Sequence, residues 1–113
     1  MNPGEVVLIS LPQISGGPAK LRPALVLAQL PGPFQNLLIC GISTRLHDVV
    51  TDWDELVRMS DADFRGSGLR RESVIRLSYL YAADVTEVTG TIGQIAPDRF
   101  SRLLTRLADH LHP

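Results

Sequence analysis

Residues 22–44 read RPALVLAQLPGPFQNLLICGIST. Two apolar runs, RPALVLAQL (22–30) and the segment opening at QNLLICGIST and continuing to Leu46, flank the break PGP at 31–33. No helix continues through Pro-Gly-Pro, because proline lacks the N–H that the helical ladder needs. Short apolar runs between such breaks suit strands buried on both faces. Pro23 has a fixed φ and no donor, so it belongs at the first residue of a strand or on an edge. It also pushes Arg22 into an extended conformation. Arg22 therefore stands at a rim, where a loop becomes a strand. An arginine there is either a solvated flank or a side chain facing a ligand, and the rest of the chain has to choose.

Working outward, EVVLISL (5–11) reads as a strand, and PQISGGPAK (12–20) gathers loop residues. SVIRLSYLYAAD (73–84) reads as one or two strands, and TEVTGTIGQI (86–95) as another. In the latter, Gly90 and Gly93 suggest bends or close backbone approach. Thr51 followed by Asp54 resembles a capping box and predicts a short helix over 52–59, followed by a loop FRGSGLRRE. The closing segment APDRFSRLLTRLADHL places Pro97 at a first helical position. Its Phe100, Leu103, Leu104, Leu107, Ala108 and Leu111 then follow the spacing of one helical face, while Arg99, Arg102 and Arg106 lie elsewhere on the wheel. Short strands with one terminal helix predict a single mainly-β (α+β) domain over 1–113, a small bent antiparallel sheet or barrel with a C-terminal amphipathic helix.

At 113 residues and 44% hydrophobic content the chain supports one hydrophobic core, and a folded domain is expected rather than a disordered one. No apolar run nears the roughly 20 residues of a membrane span. The N-terminus lacks the basic n-region of a signal peptide, so a cytoplasmic protein without membrane association is expected. The single cysteine, Cys40, excludes an internal disulfide. The net charge of −1 hides an uneven distribution. Residues 48–63 hold Asp48, Asp52, Asp54, Glu55, Asp61 and Asp63 against Arg58, a net of −5, so the remainder is mildly basic.

Three histidines (His47, His110, His112) and no carboxylate pair at ligand spacing give no expected metal site, and no cofactor motif is present. The stretch SGGPAK lacks both the GK[ST] ending and the helix of a phosphate-binding loop.

What the chain does carry is an ordered series: GEVV opening a strand, SGGPAK, RPALVL, LLICGIST, SVIRL, TGTIGQI and a closing helix. In that order the series resembles the MazF/PemK family of toxin endoribonucleases from type II toxin–antitoxin systems. The resemblance implies an SH3-like barrel and a homodimer. It implies metal-independent, sequence-selective cleavage of single-stranded RNA, as an mRNA interferase. It also implies an antitoxin partner. In that family the arginine of the Arg-Pro pair is catalytic, a role that falls on Arg22. Its usual partner is a threonine ending the third strand, where this chain has Ser43. Serine keeps the hydroxyl but loses the methyl that restricts χ1.

The chemistry suits these residue types. RNA supplies its own nucleophile, the 2′-OH, so the protein's task is to align it and stabilise charge on the phosphate. Arg22 offers a planar donor fork matched to phosphate oxygens, and Ser43 a hydroxyl donor. Gly16 and Gly17 would let backbone amides approach phosphates, and Lys20 adds charge. Thr44 is the adjacent hydroxyl, on the opposite face if the strand continues. His47 shares parity with Ser43 and reaches the site if the strand runs that far. No general base is assigned. Trp53, Phe64, Tyr79 and Tyr81 could stack bases, with Trp53 and Phe64 expected rather under the acidic excursion. The antitoxin is expected to bring an acidic, disordered segment to the same rim, away from the excursion, whose charge would repel it.

Two other functions fit this fold class. One is a catalytically inactive SH3-like module binding nucleic acid or protein. The other is a gyrase inhibitor of the CcdB type, a family known for an aromatic near its helical C-terminus; this chain ends ADHLHP.

Overall fold

A computed structural model describes residues 1–11 and 20–113. Six strands form one antiparallel sheet: β1 (Glu5–Leu11), β2 (Lys20–Gln29), β3 (Asn36–Ser43), β4 (Glu55–Val57), β5 (Ser73–Asp84) and β6 (Val88–Gln94). Their spatial order is β4-β5-β3-β2-β1-β6. Among the described residues there are also a one-turn helix α1 (Phe64–Ser67), the C-terminal α2 (Pro97–Leu111) and 3-10 turns at Leu46–Asp48 and Val85–Glu87. The mainly-β expectation holds, and the sheet is bent but open, since its outer strands β4 and β6 do not pair.

Alternation along β1–β3 sends side chains to two separate apolar layers. Val6, Leu25, Leu27, Cys40 and Ile42 join Ile75, Leu77, Leu103 and Leu107 in the larger layer, beneath α2. Val7, Ile9, Ala24, Val26, Leu37 and Ile39 form the smaller one with Ala83. Ala24 to Leu27 are consecutively buried, as a strand covered on both faces requires. Cys40 lies inside, and burial pushes its thiol up to about 12, so it is an inert core residue.

Bulges shape the sheet. The β3–β5 register jumps between Cys40↔Leu80 and Gly41↔Arg76, which leaves Leu77, Ser78 and Tyr79 without a partner on β3. The 50–54 turn fills the gap. Asp54 accepts from the Leu77 N–H at 3.0 Å, and the Trp53 indole donates to the Ser78 hydroxyl at 2.9 Å. At Gly93 an added Cβ would lie 2.2 Å from the Gly66 carbonyl oxygen, so β6 and α1 touch backbone to backbone, as the sequence suggested there.

The helix expected over 52–59 is not formed. Asp54 is occupied by the N–H groups of Val50 and Leu77 rather than by a helix cap, and Glu55–Val57 pairs with Ser73–Ile75 as β4. An eight-residue helix is a marginal structure, and the edge of β5 offers that stretch a ladder instead. Within FRGSGLRRE, read as loop, Phe64–Ser67 forms α1. Trp53 and Phe64 are half-buried against the larger layer, as expected.

α2 begins at Pro97 as read, and buries Leu103 and Leu107. Ala108 and Leu111 are exposed, so the apolar face ends before the helix does. Arg99, expected off the packed face, is buried. It donates to Asp63 at 2.8 Å, Asp61 at 2.9 Å, Glu55 at 3.1 Å and the Leu56 carbonyl oxygen. Arg102 and Arg106 close on Glu55 at 3.0 and 2.7 Å. Three of the six acids of the excursion, Glu55, Asp61 and Asp63, are thus paired by the helix it packs against. Burial pushes the Glu55 carboxyl up, but the hydrogen bonds from Arg102 and Arg106 outweigh it and hold the group below its usual range. For Asp63 the Arg99 hydrogen bond dominates, also downward.

Candidate functional site

β2 starts at Lys20, and both Lys20 and Arg22 are exposed. Arg22 pairs with Ile9 of β1 and sits two residues before Ala24 on the same face of the strand. That face carries the smaller apolar layer. Across the sheet, Ala24 pairs with Gly41. Continuing this count by two residues sets Arg22 opposite Ser43, the last residue of β3. Arg22 and Ser43 thus share one face and one end of adjacent strands.

Ser43 is half-buried, and its hydroxyl oxygen accepts from the Arg45 N–H at 3.1 Å. That bond engages one of the oxygen's two lone pairs and leaves the hydroxyl proton for another acceptor. Thr44 is exposed at the bend just after β3. The alternation that would have carried His47 to the same face stops at Ser43, because Leu46–Asp48 is a 3-10 turn. The His47 side chain is 74% exposed and its Nε2 lies 3.3 Å from Asp48 Oδ1. Gly16 and Gly17 lie outside the described residues.

The register also brings a residue to this face that sequence reasoning passed over. Gly41 pairs with Arg76, and Ser43 with Val74, so Arg76 is the diagonal neighbour of Ser43. Its guanidinium lies 4.6 Å from the centroid of the Tyr79 ring. That ring has room because residue 41 is glycine: a Cβ there would come within 3.3 Å of the Tyr79 Cβ. Among the described residues, the buried Arg76 Nε has no hydrogen-bond partner. The signal lay in SVIRL, where an arginine alternates with Ile75 and Leu77, both fully buried. A charge between two core residues of a strand must face the other side of the sheet.

The row Arg22, Ser43 and Arg76 thus presents two guanidinium forks and one hydroxyl on a rigid sheet, beside an apolar layer. Such a row can bind an anion with several oxygens and stabilise charge that grows on it. Among the described residues, no group of three or more His, Cys, Asp or Glu is arranged to hold a metal ion. No helix among them is long and apolar enough to cross a membrane.

Residues 2–111 match the family described as PemK-like, MazF-like toxin of type II toxin-antitoxin system. Among solved structures, the Mycobacterium tuberculosis toxin MazF-mt6 is similar, with a TM-score of 0.68 at 18% identity over 95% of each chain. The MazE-MazF (Form-II) crystal structure from Deinococcus radiodurans is similar at a TM-score of 0.66 and 16% identity, covering 99% of this chain and 95% of the other. At such identities these likenesses speak for the fold. A comparison with curated protein sequences finds no match.

Proposed function

Because the chain belongs to the PemK-like, MazF-like toxin family of type II toxin–antitoxin systems, we propose that it is an endoribonuclease that cleaves single-stranded RNA by attack of the 2′-OH on the adjoining phosphate. The observation that carries this reading is the placement of Arg22, Ser43 and Arg76 on one face and one end of the sheet. The 2′-oxygen bonds to phosphorus, loses its proton, and the bond to the 5′-oxygen breaks as that oxygen gains one. The products are a 2′,3′-cyclic phosphate and a 5′-OH. Arg22 binds the non-bridging oxygens through its fork, Ser43 donates to the same phosphate, and Arg76 adds a second guanidinium as charge develops. Lys20 draws the backbone to the rim.

The test is a long unstructured RNA incubated in EDTA, with the fragment ends mapped. Discrete cuts with cyclic-phosphate and 5′-OH ends are expected, and a 2′-deoxy residue at a mapped position should stop cutting there without abolishing binding. Cleavage of that deoxy substrate, or cleavage only with added Mg²⁺, overturns the mechanism. Binding without any cleavage would favour the inactive module.

The same reading includes a homodimer and an antitoxin. Tyr79, Leu80 and Tyr81 are 60%, 43% and 41% exposed on β5, beyond the three residues that β4 covers. This apolar run supports a second copy as its occupant, which sedimentation would show as a two-fold mass. The antitoxin would bring an acidic segment to the Arg22 rim and compete there with RNA. The sequence-based reason for excluding the 48–63 excursion from that contact weakens, since Glu55, Asp61 and Asp63 are paired by the arginines of α2.

A further inference from the structure

Asp48 lies where three other side chains meet. Its Oδ2 is 3.0 Å from Arg45 Nε and 3.9 Å from Arg76 NH1, and its Oδ1 is 3.3 Å from His47 Nε2. The separation from Arg76 is too long for a hydrogen bond, although the charges still attract. Arg76 is nonetheless the fixed member of the group. Its side chain is only 19% exposed and is held over Tyr79. NH1 stays beyond bonding distance of the carboxylate, so Asp48 attracts this guanidinium without saturating it.

A carboxylate and a phosphodiester are both monoanions that accept from arginine through paired oxygens. The cluster also adjoins the candidate catalytic row. Arg76 is the diagonal neighbour of Ser43, about 7–8 Å along the sheet, and the Arg45 N–H is itself bonded to the Ser43 hydroxyl. An RNA strand held at Ser43 therefore carries its next phosphate past these donors.

We propose that Arg45 and His47, together with the Arg76 guanidinium that also borders the scissile phosphate, form a second RNA-phosphate subsite, and that Asp48 is its internal occupant, competing with RNA for the same donors. The inference rests on the endoribonuclease reading above. Asp48 touches no reacting atom in it. It acts through the three side chains it engages, and so sets how tightly RNA is held. Its charge lowers affinity for any polyanion that cannot also use the Arg22–Ser43 row, which favours strands seated for cleavage over strands bound at random.

The experiment uses Asp48→Asn, which keeps the size and removes the charge. The probe is a single-stranded RNA oligonucleotide with a 2′-deoxy residue at a mapped cleavage position, so that binding is read without cutting. Over a salt series, Asp48→Asn should bind roughly twofold to fivefold tighter at low salt, the range of one or two partly exposed ion pairs. The slope of log K against log salt should steepen by about 0.7 for each additional phosphate that the freed donors neutralise. With cleavable RNA, KM should fall by more than kcat changes. Asp48→Glu should restore the wild-type slope, and adding Arg76→Met to Asp48→Asn should abolish the tightening. An unchanged Tm shows that the fold is intact.

Weaker binding by Asp48→Asn, an unchanged slope, or a fall in kcat at constant KM overturns the proposal. So does tightening toward an oligoglutamate peptide but not toward RNA, which would make the subsite one for an acidic protein segment. Failure of the wild-type chain to bind RNA at all sinks the endoribonuclease reading as well, whereas binding with no response to Asp48→Asn sinks only this one.

Discussion

Arg99 of α2 donates to Glu55, Asp61, Asp63 and the Leu56 carbonyl oxygen, and is buried. Arg22, at the mouth of β2, is exposed and has no hydrogen-bond or ion-pair partner among the described residues. Arg76 stands between these extremes, half-buried and stacked on Tyr79 but with Nε unpartnered. One residue type thus stands in two environments in this chain. Where acids already saturate the fork, arginine clamps a helix to the sheet and has nothing left to offer a ligand. Where the fork is presented from a rigid strand, it can bind a phosphate. Of the 11 basic residues only Lys20 is a lysine, so counting arginines says nothing about which job each one performs.

The sharpest way to break this contrast is to exchange the outcomes. Arg99→Ala should cost about 3 kcal/mol of stability, because the nearly buried Asp63 loses its guanidinium while Glu55 keeps Arg102 and Arg106. Per folded molecule, RNA cleavage should stay at the wild-type level. Denaturant unfolding and the cleavage rate, measured on one preparation, check both halves. A loss of activity without a loss of stability would place Arg99 in the site.

Arg22→Lys should do the reverse. It keeps the charge but loses the fork, and cleavage should fall roughly 100-fold or more at unchanged Tm. If Arg22→Ala cuts RNA at the wild-type rate, the row is not the active site.

Ser43 sharpens the comparison further. Ser43→Ala removes a donor to a charged group and should slow cleavage by roughly tenfold to 100-fold. Ser43→Thr should retain or raise the rate, because the added methyl restricts χ1. Single-turnover kinetics separate this effect from RNA binding.

The smallest expected effect is on the pH dependence of stability. Glu55, Asp61 and Asp63 all titrate below their ordinary range. Groups depressed in the folded state contribute stability that is complete above the unfolded carboxylate range, about pH 4. That contribution is lost as pH falls through the folded values. Unfolding free energy should therefore decline below about pH 4, and less steeply in Arg99→Ala. Equal slopes in the two proteins would mean that the network does not set the acid limit.

The strands were legible because their signals are local. β-Branched runs bounded by Pro and Gly mark strand ends wherever the strands go, and Pro97 with its leucine spacing marks α2. Arg22 was legible for the same reason, since Pro23 places it at a strand mouth. The 52–59 segment was misread because Asp54 spends its oxygens on Val50 and on Leu77, the latter 23 residues away. Arg99 looked solvated because its acids lie 36 to 44 residues upstream, too far for any helical spacing rule to find.

Local patterning in the chain thus accounts for most of the strand inventory, the closing helix, strands buried on both faces, and an arginine and a serine placed at strand ends. Pairing across the sheet and contacts with α2, which lie beyond any local pattern, settle which arginines are used up by acids and which are not. That depends on cross-strand register, and a three-residue bulge in β5 sets the register by which Arg76 meets Gly41 and neighbours Ser43. Alternation fixes the face of a side chain from its neighbours in sequence, but its partners across a sheet are fixed by pairing, which no local pattern encodes.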